Sequence, residues 1–225
     1  MRVLPILFNT EMVRAILDGR KTVTRRVLKN LPKDAEYVGQ LEDSFDPWDE
    51  KDIGKSMFKT SLLPTEKAGC IFIKPPYQPG DVLYVRETWG TYTENWIEAD
   101  YFLYHADYPE GAKTYMYCDG IHECDLPKWH PSIHMPKEAA RLWLKVTDVR
   151  VERLQEITEE QVVKEGITGF DMEHIKTLGE HYDIPFAVFW NSTIKKSDID
   201  RYGWDANPWV WAIEFERCEK PEEKK

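Results

Sequence analysis

The densest chemistry in this chain lies in eight residues, Gly19-Arg20-Lys21-Thr22-Val23-Thr24-Arg25-Arg26. Four of the eight are cationic, in a 225-residue chain whose 40 Asp and Glu outnumber its 30 Lys and Arg and give a formal net charge of -10. Two threonine hydroxyls stand among those cations. Residues of these types bind an anion, a nucleic-acid strand or a polar small molecule. An acidic chain repels a polyanion at long range, which excludes a general nucleic-acid coat. Contact with nucleic acid must therefore be local, through residues 19–26.

Other candidates are scattered. Glu87 and Trp89 follow an alternating strand. A Trp there stacks on a base while Glu87 accepts from its exocyclic amine; equally, Trp89 is core and Glu87 pairs with Arg86. His134 sits in a Pro-bounded segment, either lining the pocket or satisfied within its loop. Cys118, His122, Cys124 and His130 are zinc-type ligands, but their spacing is not that of a zinc knuckle, so no metal is assigned. No phosphate-cradling glycine loop or nucleophile elbow occurs, and no cofactor is expected.

The elements that must position these residues read as follows. The apolar run at 3–8 is a buried strand. Asn9 or Thr10 caps a helix whose Met12, Val13, Ile16 and Leu17 recur at helical spacing. Gly19 ends it, and β-branched Thr22, Val23, Thr24 and Val27 favour extended chain. Alternation predicts strands over 81–88, 141–154 and 209–215, which with 3–8 are expected to form one curved sheet. Thr158 and Gln161 form a capping box, with Ile157 and Val162 as its hydrophobic staple, on a helix stopped by Gly166. Phe186, Phe189, Trp190 and Ile194 predict a helix over 185–195. Strands dominate and the helices are short and peripheral: an α+β chain, better suited to a small mixed barrel than to a doubly wound sheet. Residues of about 29–75 and 90–135 lack clear periodicity and read as two insertions in a single domain spanning 1–218; 219–225 is a charged, flexible tail.

Hydrophobic residues make up 42% of the chain and aromatic residues 13%, with nine Trp, enough for a sizeable core. No apolar run approaches the ~20 residues of a membrane span, and the N-terminus lacks the pattern of a signal peptide. A cytoplasmic location with reduced thiols is expected.

Gly19-x-Lys21-x-x-x-x-Arg26 after a helix resembles the hallmark of the ASCH domain, a PUA-like mixed β-barrel. Pro79-Gly80-Asp81-Val82-Leu83, the segment from Ile157 to Gly166 and Trp211-Ala212-Ile213-Glu214-Phe215 resemble further parts of that family, over about half of the chain. Arg86-Glu87-Thr88-Trp89, Pro131-Ser132-Ile133-His134-Met135-Pro136 and Trp204-Asp205-Ala206-Asn207-Pro208-Trp209 are similar to a phage and prophage branch. A more distant relative is the bacterial acetylcytidine amidohydrolase.

The resemblance implies a pocket for RNA or a modified nucleoside beside residues 19–26. Gly19, Arg20, Arg25 and Arg26, with Glu87, Trp89 and His134, would bind the substrate. It also implies a catalytic set: Thr24 as nucleophile, Lys21 as its base and Glu165 as the acid. Thr needs a base, and Lys serves as one only when burial or neighbouring cations lower its pKa. In an ideal strand Lys21 and Thr24 face opposite sides, so a turn or bulge must intervene. Lys21→Ala is then expected to abolish activity with little change in stability. The alternative is a non-catalytic, phage-encoded RNA-binding or protein-interaction module.

Overall fold

The computed structural model describes residues 1–42, 47–61, 69–93, 100–116, 123–126, 128–167 and 183–222. The chain begins with β1 (Val3–Leu7), α1 (Thr10–Leu17) and β2 (Val23–Val27). Asn9 caps α1, its side chain accepting from the Met12 N–H at 2.9 Å. Gly19, at φ +74°, closes the helix, and the Arg20 and Lys21 N–H groups then turn back onto the Ala15 carbonyl. Only a residue without Cβ enters this left-handed conformation cheaply.

β3 (Glu36–Gln40), β4 (Ser56–Lys59) and β5 (Cys70–Ile73) follow, then β6 (Val82–Arg86) and the hairpin of β7 (Trp89–Thr93) and β8 (Asp100–Tyr104). After β9 (Thr114–Met116) and β10 (Glu123–Asp125), the long β11 (Trp143–Arg153) leads to α2 (Glu159–Lys164). α3 (Ile184–Thr193) and the closing strand β12 (Trp209–Cys218) complete the site's frame.

Five strands form the central sheet in the order β1-β6-β11-β12-β2, with β1 parallel to β6 and the other neighbours antiparallel. The four strands expected in one sheet are there, joined by β2. The molecule is α+β, a mixed sheet with short helices. β1 and β2 are its edges, with no ladder between them among the described residues. The Arg26 Nη2 bridges them by donating to the Leu7 carbonyl at 2.6 Å.

One face of the sheet carries Ile6, Leu83, Val85, Leu144, Val146 and Ile213, packed against Phe8 and against Val13 and Ile16 of α1. Each fully buried Leu, Ile or Phe contributes about 1.5–3 kcal/mol relative to exposure. The opposite face buries Val210 with Leu154, Ile157, Val162, Phe186 and Trp190, holding α2 and α3. The capping box and both staple residues are in place: Thr158 Oγ1 accepts from Gln161 N–H, and Gln161 Oε1 from Thr158 N–H.

The first insertion is more regular than its sequence periodicity suggests. β3, β4 and β5 form an antiparallel sheet, with a register shift between Tyr37 and Gly39. Strands of four and five residues with a bulge leave too few alternations to register as a period. Tyr37 and Phe58 seat this sheet on Trp209 at centroid distances of 5.9 and 5.8 Å. Residues 223–225 of the expected tail lie outside the described residues. Among the described residues no helix is long and apolar enough to cross a membrane.

Asp81 anchors the turn into β6. Its carboxylate accepts from the Gln78 N–H at 2.8 Å and from the Arg2 guanidinium. Burial pushes this carboxyl up, but Arg2 and the backbone donors outweigh burial and hold it below the usual carboxylate range. A depressed folded pKa means stability present above the unfolded value of about 3.9 and lost as pH falls through the folded one. Asp81→Asn is therefore expected to cost about 1–2 kcal/mol at neutral pH and to flatten the acid limb of the stability curve, measured by urea unfolding between neutral and acid pH.

Candidate functional site

The basic stretch docks onto the C-terminal end of α2. Three successive carbonyls there lack helical partners, as at any helix end. The Thr22 N–H donates to Lys164 O at 2.9 Å, Lys21 Nζ to Glu165 O at 2.9 Å, and Arg20 Nη1 to Gly166 O at 2.9 Å. The cations also face the negative end of the helix dipole. Gly166, at φ +74°, permits this approach: a Cβ there would lie 2.7 Å from the Cβ of Lys21 and 2.8 Å from that of Ala15.

Lys21 precedes β2, in the turn that follows Gly19, so strand alternation does not govern its direction. Its side chain is fully buried, and Nζ donates to Glu165 Oε2 at 2.6 Å. Arg25 Nη1 donates to Glu165 Oε1 at 3.0 Å, Nε to Glu152 at 2.7 Å and Nη2 to Gln161 Oε1 at 2.8 Å. Gln161 thus completes the helix cap and orients Arg25. Glu152 continues the network to Arg150 and, through it, to Glu214 nearer the surface. Burial pushes the Lys21 amine below the ordinary lysine value; Glu165 pulls the other way, and Arg26 and Arg25 reinforce burial. The expectation that Lys21→Ala leaves stability nearly unchanged is corrected: Lys21 is wholly buried and supports both the ion network and the end of α2.

Thr24 and Arg26 point to the inner face of β2. Their partners across the ladder, Ile213 and Trp211, belong to the inner core with Phe8. Thr24 is only 2% exposed. The Phe8 ring is near both cations, 5.8 Å from Lys21 Nζ and 5.4 Å from the Arg26 guanidinium. Arg20 pairs with Asp18, Lys21 with Glu165 and Arg25 with Glu152 and Glu165. Arg26 has no carboxylate partner among the described residues; its side chain donates to Leu7 O. Burial pushes its guanidinium below the ordinary arginine value.

Two adjoining cavities open here. One, of about 290 Å³, is lined by Glu165, Gly166, Ile167 and Phe189 and also by Asn9, Met12 and Ser192. The other, of about 470 Å³, shares Asn9, Met12 and Ser192 and extends to Arg26, Thr88 and Ser132. Together they form a cleft with Glu165 at one end and Arg26 at the other.

Of the expected site residues, Arg26 and Glu165 line these cavities; Gly19, Arg20, Lys21, Thr24, Arg25, Glu87, Trp89 and His134 line neither, whereas Thr88 and Ser132 do. Glu87 pairs with Arg141, not Arg86: Arg141 Nε and Nη2 donate to its two oxygens, each at 3.0 Å. Arg86 instead donates to the carbonyls of Met135 and Ile133. Burial raises the Glu87 carboxyl above its ordinary value, against the pull of Arg141. The Trp89 ring packs on Phe102 and His130, at 5.8 and 5.1 Å. Its Nε1 is buried with no partner among the described residues. His134 is exposed, in a 3-10 turn. Side-chain direction at a strand end separated Thr88 from its two neighbours, and parity counted from the core-facing Val85 was the available signal.

Of the zinc-type residues, Cys118 and His122 lie outside the described residues. Among the described residues no group of three or more His, Cys, Asp or Glu is placed to hold a metal.

No family model matches this chain, and no curated protein matches it. Among solved structures, the high-resolution crystal structure of an ASCH domain from Lactobacillus crispatus aligns with 96% of this chain and 79% of its own, at 11% identity and a TM-score of 0.34. A score and identity at that level do not establish a common fold.

Proposed function

We propose that this chain is an ASCH-type protein that binds a modified nucleoside in the cleft between Glu165 and Arg26. The five-stranded sheet, bridged at its edges by Arg26 and Leu7, is read as a PUA-like barrel. The observation that carries the proposal is the distribution of charge along the basic stretch. Three of its cations are neutralised by carboxylates, and the fourth, Arg26, faces the cleft without one. Segments resembling the phage-type branch put Thr88, Pro131 and Ser132 on the same cleft.

A second reading, hydrolysis of an acylated cytosine amide, is favoured by the lowered Lys21 amine 2.6 Å from Glu165. In this reading Thr24 Oγ1 attacks the acyl carbonyl and gives its proton to neutral Lys21. The C–N bond breaks, and Glu165 delivers its proton to the departing cytosine nitrogen. Water then hydrolyses the acyl-threonine: Glu165 takes the water proton, and Lys21 returns a proton to Thr24. A neutral lysine with a protonated glutamate holds as many protons as the ion pair. One proton crossing the contact interconverts them.

Arg26→Ala is expected to weaken binding of acetylcytidine by about tenfold or more, the loss of one charge-assisted contact, in isothermal titration. Undiminished affinity in that variant would remove the cleft as the binding site.

A further inference from the structure

On the other side of Arg26 lies a third cavity, of about 500 Å³, at the seam between the sheet edges β1 and β2. That volume falls within the range of small-ligand sites. Four cations line it: Arg26, Lys29, Lys74 and Arg86. No Asp or Glu does. None of the four has a carboxylate partner among the described residues; Arg26 and Arg86 donate only to backbone carbonyls. Lys29 and Lys74 are exposed. Uncompensated like charges repel one another, so the site favours an anion that screens them, in a molecule otherwise strongly acidic.

The four cations come from three places: the end of β2 and the residues after it, the residue after β5, and the end of β6. Such a spread follows an extended chain of phosphates better than it surrounds a single one. Leu7 and Arg26 line both this cavity and the nucleoside cleft, so the two adjoin at that pair.

We infer that the seam groove holds the phosphate backbone of a single-stranded RNA whose modified nucleoside occupies the Glu165–Arg26 cleft. The substrate class is therefore a nucleoside within an RNA strand rather than a free one. This rests on the nucleoside reading of the cleft. Arg26 stands at the junction, where the sugar meets its phosphate, while Lys29, Lys74 and Arg86 take phosphates further along.

The test compares the unmodified protein with the Lys29→Ala/Lys74→Ala variant. Both positions are exposed and unpaired, so the variant keeps the fold. Two probes are titrated: free acetylcytidine, and a short single-stranded RNA carrying one acetylated cytidine. With four phosphate contacts, affinity for the RNA is expected to fall roughly fifty-fold between about 50 and 200 mM salt, and only roughly sevenfold in the variant with two. Free acetylcytidine should bind both proteins equally. Lys29→Arg/Lys74→Arg should retain the full salt dependence.

If the RNA shows the same salt slope with both proteins while acetylcytidine binds, the groove assignment is overturned and the nucleoside reading stands. If the slope falls as expected but acetylcytidine binds neither protein, the groove is upheld and the nucleoside reading fails. If polyglutamate of equal charge competes as well as RNA, the assignment to RNA is overturned.

Discussion

Glu165→Ala is expected to destabilise the protein by about 3–5 kcal/mol, because it leaves the Lys21 ammonium buried beside two arginines with no carboxylate. For a chain of this size that corresponds to a fall in Tm of roughly 6–20 °C. Lys21 keeps its bond to the Glu165 carbonyl, which satisfies one donor but not the charge. The penalty should also depend on pH in a defined direction. Burial already holds the folded Lys21 pKa below the unfolded one, so between them the unfolded chain binds more protons and stability rises with pH. Without Glu165 the amine falls further. The destabilisation should shrink as pH rises toward the unfolded lysine value of about 10.4.

Removing both charges tests the same point from the other side. Lys21→Met combined with Glu165→Leu replaces a buried ion pair with apolar side chains of similar volume, which is often neutral or stabilising. Arg25 retains Glu152 and Gln161. The double variant should therefore melt well above Glu165→Ala in thermal unfolding followed by circular dichroism. A Glu165→Ala protein melting within a degree or two of the unmodified one would mean that Lys21 is solvated by something other than Glu165.

The second large effect concerns chemistry. Thr24→Val is expected to abolish release of acetate from acetylcytidine, by about a thousandfold or more, with the fold intact. Valine keeps the shape and β-branching of threonine at a position facing Ile213 and the inner core, and removes only the hydroxyl. This substitution separates mechanism from stability more cleanly than any change at Lys21, which also supports α2. Glu165→Gln should slow release by about 10²–10⁴-fold while retaining ligand binding. The charge-free double variant should fold and bind but release no acetate. Acetate is measured by coupled assay or by proton NMR. If Thr24→Val hydrolyses at the unmodified rate, the hydrolytic reading is lost, and the cleft remains a binding site for the non-catalytic alternative.

Local signals in this chain reported local structure well. The capping box of Thr158 with Gln161, a cap at Asn9 or Thr10 of which the structure uses Asn9, the stops at Gly19 and Gly166, and the strand alternation in β11 and β12 all depend on residues a few positions apart. Their physics is complete within one turn or one pleat, so sequence alone determined them. It also located the basic stretch against an acidic background.

What those cations do was decided only by packing. Lys21 meets Glu165 across 144 residues, and no spacing rule connects them. The meeting requires the β11–β12 pair to carry α2 over the edge of β2, and a glycine at 166 to let the helix end close on the lysine. Once that happens, Lys21 and Arg25 are neutralised inside the molecule, Arg20 pairs with Asp18 at the surface, and Arg26 alone of the four has no carboxylate partner among the described residues. The same limit explains Glu87, whose partner proved to be Arg141 across the fold rather than adjacent Arg86. Charge pairing falls off slowly with distance and is strengthened by burial, so it answers to the three-dimensional arrangement. Capping and alternation are steric and short-ranged, and the chain carries them in its order of residues.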